Sequence, residues 1–137
     1  MLEDAFRTTV DVRFRDLDTM GHVNNALYAT YLEEARSAYY REVIGESLPD
    51  VDTVLAHLSI EYRAPIELGE TVTVVLIVPE VGESSIPMEY EIRTDDSLAA
   101  TAETVQVVWN REDGGSKPVP DRWRERIESF EQSEGAV

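Results

Sequence analysis

One segment of this chain has the periodicity of an amphipathic helix, and most of the rest alternates as strands do. The helical segment ends at Gly45, a natural stop, and Asn24 or Asn25 is a suitable N-cap, which predicts one helix of about 18 to 20 residues. Its apolar residues recur at three- and four-residue spacings: Tyr28, Tyr31, Leu32, Ala35, Ala38, Tyr39 and Val43. Its solvent-exposed face is expected to comprise Glu33, Glu34, Arg36, Arg41 and Glu42.

Strand patterns precede and follow this helix. Residues 8–14 alternate apolar and polar and predict a first strand. Four more strands are predicted at 53–62, 70–79, 84–93 and 99–110. Residues 120–130 then predict a short terminal helix, followed by a flexible tail over 131–137. The order predicts one α+β domain over residues 1–137, a five-stranded antiparallel sheet against one helix. Because one helix cannot cover both faces of a sheet, we expect a homodimer or homotetramer.

Composition disfavours several classes of protein. The chain has no cysteine and only two histidines, so we expect no metal site and no thiol chemistry. A formal net charge of −16 disfavours nucleic acid and anionic membrane surfaces as partners. The absence of a leader-like N-terminus or a long apolar run predicts a soluble, cytoplasmic protein.

The acidic surface has a second implication. Lys117 is the single lysine, and the acidic residues are spread along the whole chain. This composition is typical of proteins from salt-loaded cytoplasm, where molar salt screens the self-repulsion of the surface. The alternative is an acidic mesophilic protein.

A polar cluster immediately before the helix has the residue types needed to attack a carbonyl. Asp16 and Asp18 follow the first strand, and Gly21 and His22 precede the helix. A carboxylate can act as base or nucleophile, a helix N-terminus can stabilise an oxyanion, and a histidine can carry a proton. The structural alternative is that an aspartate starts a turn, Gly21 is a turn glycine, and Asn24 or Asn25 only caps the helix.

Residues 13–36, RFRDLDTMGHVNNALYATYLEEAR, resemble the signature of the 4-hydroxybenzoyl-CoA thioesterase family of hotdog-fold proteins. Residues 57–71, HLSIEYRAPIELGET, resemble the segment in which the family's second strand turns into the third. The resemblance covers about residues 7–110. It implies a hotdog fold, in which a curved five-stranded antiparallel sheet wraps a long helix, and hydrolysis of an acyl-CoA without a cofactor.

The resemblance also implies roles for individual residues. Asp18 matches the family's catalytic carboxylate, acting as general base or nucleophile, and Asp16 becomes structural. His22 is either catalytic or organises the loop, since the asparagine that accompanies this histidine in acyl-carrier-protein thioesterases is Met20 here. The expected substrate-binding residues are Gly21, Asn25, Tyr28 and Arg63.

Structural alternatives apply to several of these residues. Asn25 either caps the helix or orients the carboxylate, and Tyr28 and Tyr31 either line the acyl pocket or pack in the core. Arg63 either meets the phosphates of CoA or forms a surface ion pair. His57 is expected to be a satisfied structural histidine.

Two other functions compete with hydrolysis. One is a non-catalytic hotdog protein that binds acyl-CoA, and the other is a hotdog dehydratase acting on hydroxyacyl or enoyl thioesters. Asp18 argues against the first, and the position of the Asp-x-Asp motif before the helix fits the second poorly.

Overall fold

An antiparallel sheet packs against one long helix in the computed structural model, which describes residues 4–132. The strands are β1 (Phe6–Val10), β2 (Thr53–Tyr62), β3 (Val72–Ile77), β4 (Ser85–Arg93), β5 (Leu98–Asn110) and β6 (Gly115–Ser116). The helices are α1 (Leu27–Tyr39) and α2 (Asp121–Phe130). The main strands lie in the order β1-β3-β4-β5-β2, and β6 pairs only with β5.

The predicted long helix is confirmed. α1 continues into a π-helical turn, Tyr40–Ile44, and Gly45 ends it with a φ of 87°, a backbone conformation that favours glycine. The predicted cap is wrong by one or two residues, because the N-cap is Ala26 and has no side-chain capping bond. The side chain of Asn24 bonds to the N-cap residue itself, since its Oδ1 accepts a 2.9 Å hydrogen bond from the N–H of Ala26.

Arg36 does not lie on the solvent-exposed face of α1, contrary to prediction. It is only 4% exposed, and its Nη1 donates a 3.3 Å hydrogen bond to the hydroxyl of Tyr90 on β4. Arg36 follows Leu32, which is fully buried, by four residues, so both side chains lie on the same side of α1. Arg36 was predicted to be exposed because it is charged, but its burial is determined by its position on the helix.

The first strand is shorter and earlier than predicted. β1 ends at Val10, which pairs with Val72 at the start of β3, so residues beyond Val10 have no partner on that strand. Phe14–Asp16 instead form a 3₁₀ turn, in which Phe14 is 79% exposed. The alternating pattern therefore extends beyond the paired strand.

The core lies between α1 and the inner faces of β3, β4 and β5. Most of its largest fully buried side chains come from the helical segment, β3 and β4, and the others come from the loop before β3 and from α2: Tyr28, Tyr31, Leu32, Tyr39, Tyr40, Ile44, Leu76, Ile86, Met88, Ile92, Ile66 and Ile127. α2 packs against the end of the helical segment through Trp123, whose ring lies 6.0 Å from that of Tyr40. Helix and sheet thus share one hydrophobic core.

β2 lies at one edge of the sheet, and its inner face is not fully covered. Leu55, Leu58 and Tyr62 lie on that face and are 41 to 46% exposed. An unpaired edge with exposed apolar side chains can accept another strand. This edge passes beside the loop that precedes α1.

The end of the chain is described only in part. Glu131, the first residue of the predicted tail, accepts a 2.7 Å hydrogen bond from the hydroxyl of Tyr39. Burial raises the pKa of the Glu131 carboxyl, although its bonds to Tyr39 and to the backbone of Val78 act in the opposite direction. Residues 133–137 of the predicted tail lie outside the described residues.

Candidate active site

The segment between β1 and α1 folds into a tight loop around Asp18. Leu17 and Val23 form an antiparallel bridge, and the N–H of Asp18 donates a 2.7 Å hydrogen bond to the carbonyl of His22. Gly21 sits within this loop at a φ of 81°, a conformation that L-residues rarely adopt. The loop thus holds Asp18 at a fixed place beside the helix entrance.

One carboxylate oxygen of Asp18 organises the loop and the other remains available. Oδ1 accepts hydrogen bonds from the N–H groups of Met20 at 2.8 Å and His22 at 3.2 Å. Oδ2 has no hydrogen-bond partner among residues 4–132, and Asp18 is exposed. An anchored carboxylate with one uncommitted oxygen can serve as a base or a nucleophile.

Asp16 is a structural residue. It is buried, and its Oδ2 accepts bonds from the hydroxyl of Tyr31 at 3.0 Å and from the N–H of Arg13 at 2.9 Å. Burial raises the pKa of Tyr31, and the hydrogen bond to Asp16 adds to the effect. Tyr31, for which a pocket role was one alternative, therefore packs in the core and anchors the loop.

His22 contributes to the loop mainly through its backbone. Its N–H and carbonyl both bond to Asp18, as described above. Its Nε2 lies 3.7 Å from Oε2 of Glu67, with which it also forms an isolated antiparallel bridge. The structure therefore places the His22 side chain against a carboxylate other than Asp18.

The N–H of Asn25, just before α1, lies beside the loop as a possible hydrogen-bond donor. Ala26 and Leu27 donate to the side chain and carbonyl of Asn24, and Tyr28 donates to the carbonyl of Asn25 at 3.3 Å. The N–H of Asn25 itself has no acceptor among residues 4–132. Among the N–H groups from Asn24 to Tyr28, that of Asn25, two residues before α1, is therefore the one without an acceptor in the described residues.

These residues meet around a cavity of about 300 Å³. Its wall comprises Asp18, His22, Val23, Asn25, Tyr28, Tyr62, Arg63, Ala64 and Pro65. Five of the six predicted site residues therefore line one space, and the sixth, Gly21, shapes the loop at its edge.

Tyr62 belongs to this wall but was not predicted. Its ring packs edge-on against Tyr28 with centroids 4.9 Å apart, and its hydroxyl donates a 2.9 Å hydrogen bond to the carbonyl of Asn25. Burial raises the pKa of Tyr28, with smaller contributions from Tyr62 and Glu70. The available signal was the position of Tyr62 at the end of β2, directly before Arg63, but only the fold brings that end to the helix entrance.

Arg63 forms the predicted surface ion pair and also lines the cavity. Its Nη2 lies 3.2 Å from Oε1 of Glu61, and its side chain also lines the cavity. It is the single cationic side chain in that wall. His57, by contrast, is exposed on β2 and its side chain has no hydrogen bond to residues 4–132, so the prediction of a satisfied structural histidine is wrong.

Neither a metal site nor a membrane span is found in the described part of the chain. No group of three or more His, Asp or Glu side chains among residues 4–132 is placed to hold a metal ion. Over the same residues, no helix is both long and apolar enough to cross a membrane.

The thioesterase-like superfamily matches residues 12–127, which includes the loop, α1, all strands after β1 and the first seven residues of α2. A thioesterase from Thermus thermophilus, solved in complex with coenzyme A and zinc, is 38% identical with a TM-score of 0.84. That match covers 92% of this chain and 93% of the Thermus chain. The predicted hotdog fold is confirmed.

Two further relatives are more distant. A 1,4-dihydroxy-2-naphthoyl-CoA hydrolase from Nostoc punctiforme is 25% identical over 141 residues, covering 96% of this chain and 93% of that protein. The uncharacterised Bacillus subtilis protein YsmA is 30% identical over 88 residues, which is 63% of this chain and 59% of YsmA.

Proposed function

We propose that this chain, which belongs to the thioesterase-like superfamily, hydrolyses an acyl-CoA thioester to a free acid and CoA. The observation that carries the proposal is the pair formed by Asp18 and Asn25. A carboxylate with an uncommitted oxygen and an N–H group without an acceptor in residues 4–132 line the same cavity. Attack on a carbonyl needs both groups, one to activate the nucleophile and one to stabilise the oxyanion.

In the proposed reaction, Asp18 acts at the carbonyl carbon of the thioester. As general base, it takes a proton from water while the water oxygen bonds to that carbon. As nucleophile, its Oδ2 forms a mixed anhydride, which water then hydrolyses. In both routes the C–S bond breaks and the thiolate of CoA leaves with its electron pair and takes up a proton.

The N–H of Asn25 is the proposed oxyanion donor. It lies at the positive end of α1, where the helix dipole favours developing negative charge. The bond from Tyr62 to the Asn25 carbonyl fixes this residue before substrate binds. Preorganised donors of this type need no rearrangement during the reaction.

We assign His22 a loop-organising role in preference to a catalytic one, because its Nε2 faces Glu67. Arg63 is proposed to meet the phosphates of CoA, since it is the cation of the cavity wall. Its ion pair with Glu61 is exposed on both sides and is therefore weak enough to exchange.

A second copy of the chain is part of the proposal. The unpaired edge of β2 and its exposed Leu55, Leu58 and Tyr62 are suited to pairing with β2 of another copy, which gives a homodimer or a homotetramer. We place the enzyme in the cytoplasm and, within the superfamily, in the 4-hydroxybenzoyl-CoA thioesterase family.

Thiol release from a panel of acyl-CoA substrates tests the proposed function. The panel contains short, medium and long aliphatic acyl groups, 4-hydroxybenzoyl-CoA and, because of the Nostoc relative, 1,4-dihydroxy-2-naphthoyl-CoA. Free thiol is followed with a chromogenic reagent in molar salt, and sedimentation gives the oligomeric state. Tight binding without thiol release would favour a non-catalytic acyl-CoA-binding protein, and a fully active monomer would contradict the dimer.

A further inference from the structure

Arg36 is a buried cation without an anionic partner in the described part of the chain. No carboxylate among residues 4–132 lies within 4 Å of its guanidinium. Its Nη1 donates to the hydroxyl of Tyr90, which stays neutral because burial raises its pKa. Since an arginine side chain does not deprotonate in proteins, burial of this charge is costly without an anion.

One nitrogen of the guanidinium remains within reach of another molecule. The Nε of Arg36 is fully buried and has no acceptor in residues 4–132. Nη2 has no hydrogen bond within that part of the chain either, but unlike Nε it retains accessible surface. Arg36 lines a cavity of about 170 Å³ together with Glu33 on the same helix and with Leu55 and Leu58 on β2. An acceptor placed in this cavity can therefore reach Nη2, although it cannot reach Nε.

Glu33 is the carboxylate of this cavity, and it does not pair with Arg36. The two residues are three positions apart on α1, a spacing at which opposite charges can form an ion pair. Glu33 is nevertheless exposed and forms no ion pair with any residue from 4 to 132. The wall of the cavity therefore holds a negative and a positive side chain, each without a charged partner in the described residues.

The cavity lies between the middle of α1 and the middle of the edge strand β2. Glu33 is the central residue of α1, and Leu58 is one of the two central residues of β2. Tyr28, near the start of α1, contacts Tyr62 at the end of β2, so the helix and the strand run in opposite directions. Leu55 and Leu58 are 44% and 41% exposed beside the cavity. This space thus adjoins the edge that is proposed to receive a second copy of the chain.

A two-fold axis perpendicular to the sheet, near the middle of β2, would bring the two charges together. Antiparallel pairing of β2 with β2 of a second copy about this axis sets the two α1 helices antiparallel on the same side of the joined sheet. In such an interface residue i meets residue j and j meets i, so Glu33 of each copy faces Arg36 of the other. Three residues span about 4.5 Å along a helix, and the arginine side chain leans toward the N-terminus, which brings it to the level of Glu33.

We propose that Glu33 of the partner subunit binds Nη2 of Arg36, and that two such ion pairs hold the chain in a symmetric dimer. This inference rests on the second copy named in the proposed function, and it specifies how the two copies are arranged. Leu55 and Leu58 lie in the wall of the same cavity and become buried beside the pairs. The self-complementary charges explain why an arginine is buried where its own chain, over residues 4–132, supplies no carboxylate.

Exchange of the two charges tests this arrangement. In Glu33→Arg, arginine faces arginine across the axis, and in Arg36→Glu, glutamate faces glutamate, so each variant alone is expected to be monomeric. A mixture of the two variants places opposite charges at both contacts, so it is expected to form a heterodimer. Sedimentation in molar salt measures the oligomeric state, because a buried pair is screened less than the acidic surface. An affinity tag on one variant shows whether it captures the other.

A milder substitution keeps the test valid if a charge at position 36 prevents folding. Glu33→Gln changes an exposed side chain of the single chain and removes both ion pairs from the dimer. We expect it to raise the dissociation constant of the dimer by at least about 10²-fold. Glu34→Gln removes the same charge from the neighbouring residue, which is exposed and outside the cavity, and should leave the constant unchanged. Circular dichroism confirms that each variant is folded.

Three results would overturn the arrangement: a monomeric wild-type protein, a Glu33→Gln dimer as tight as the wild type, or two folded charge variants that do not combine. Thiol release is measured on the same samples. If Glu33→Gln dissociates the dimer but no thioester is cleaved by the wild type, the proposed hydrolysis fails and the interface stands. If thioesters are cleaved and the Glu33 variants remain dimeric, the interface fails and the hydrolysis stands.

Discussion

The hydroxyl oxygen of Tyr31 lies 3.0 Å from Oδ2 of Asp16, and this bond separates the two aspartates of the Asp-x-Asp motif. Asp16 is directed into the protein, where it ties the loop to α1. Asp18, two residues later, faces the cavity with one oxygen uncommitted. Two carboxylates that look equivalent in the sequence therefore have different surroundings.

The bond between Tyr31 and Asp16 should contribute to stability. Tyr31→Phe removes one of the two donors to the buried Asp16 carboxylate, so the free energy of unfolding is expected to fall by about 1 to 3 kcal/mol. Urea unfolding of the variant and the wild type measures the difference. Tyr62→Phe, which removes a hydroxyl at an exposed site, is the control, and equal losses in both variants would contradict a special role for Asp16.

Substitution by alanine should have different effects at Gly21 and Gly45, which both have a positive φ. At either position, an alanine in the left-handed conformation is expected to lower the free energy of unfolding by about 1 to 2 kcal/mol. A Cβ at Gly21 meets no neighbouring atom, whereas a Cβ at Gly45 collides with Nη1 of Arg126, which bonds to the carbonyl of Ile44. Gly45→Ala is therefore expected to lower the unfolding midpoint more, and Gly21→Ala to lower turnover more. The reverse order in either measurement would contradict these assignments.

The buried tyrosines predict loss of stability at alkaline pH. Burial raises the pKa of Tyr39, Tyr40 and Tyr90 above the ordinary value of 10.0. Above about pH 10 the unfolded chain loses these protons while the native state retains them, so the free energy of unfolding falls by about 1.4 kcal/mol per pH unit for each tyrosine. Unfolding curves between about pH 8 and 11 span this onset and measure the slope. A flat profile would contradict the burial of these hydroxyls.

Salt should stabilise the fold if the acidic surface is an adaptation to high salt. Glu89 on β4 and Glu103 on β5 are direct cross-strand neighbours, an arrangement that is unfavourable in dilute buffer. Raising the salt concentration from about 0.01 to 1 M shortens the Debye length from about 30 to 3 Å and screens this repulsion. We expect the unfolding midpoint to rise over that range and the rise to be smaller in the Glu89→Gln/Glu103→Gln variant. A midpoint independent of salt would favour the acidic mesophilic alternative.

Periodicity and turn residues were sufficient to predict the helix, its stop at Gly45 and the span of β2, because local patterns determine these features. The burial of Arg36 was missed because its residue type was given more weight than its position four residues after Leu32. The role of Tyr62 was not predictable from periodicity. Tyr62 reaches the site only because the end of β2 lies beside the entrance of α1.

The Asp-x-Asp motif indicated the location of the site, and resemblance distinguished its two carboxylates. The residues alone left open which aspartate acts and which N–H groups are available. Hydrogen bonding supports the proposed choice between these alternatives, since Asp16 and the N–H groups of Ala26, Leu27 and Tyr28 have partners. Asp18 Oδ2 and the N–H of Asn25 have none within residues 4–132. Which of these groups lack a hydrogen-bond partner depends on tertiary contacts, and the spacing of residues in the sequence does not specify those contacts.

The most direct test of the proposed hydrolysis is the turnover of Asp18→Asn on the best acyl-CoA of the panel. The amide keeps an oxygen that can accept the loop bonds from Met20 and His22, but it cannot serve as a base or form an anhydride. Asp11→Asn, an equal change at an exposed aspartate outside the cavity, is the matched control. We expect kcat to fall by at least about 10²-fold in Asp18→Asn, with an unchanged unfolding midpoint and normal activity in the control. Wild-type turnover by a folded Asp18→Asn variant would contradict the catalytic role of Asp18.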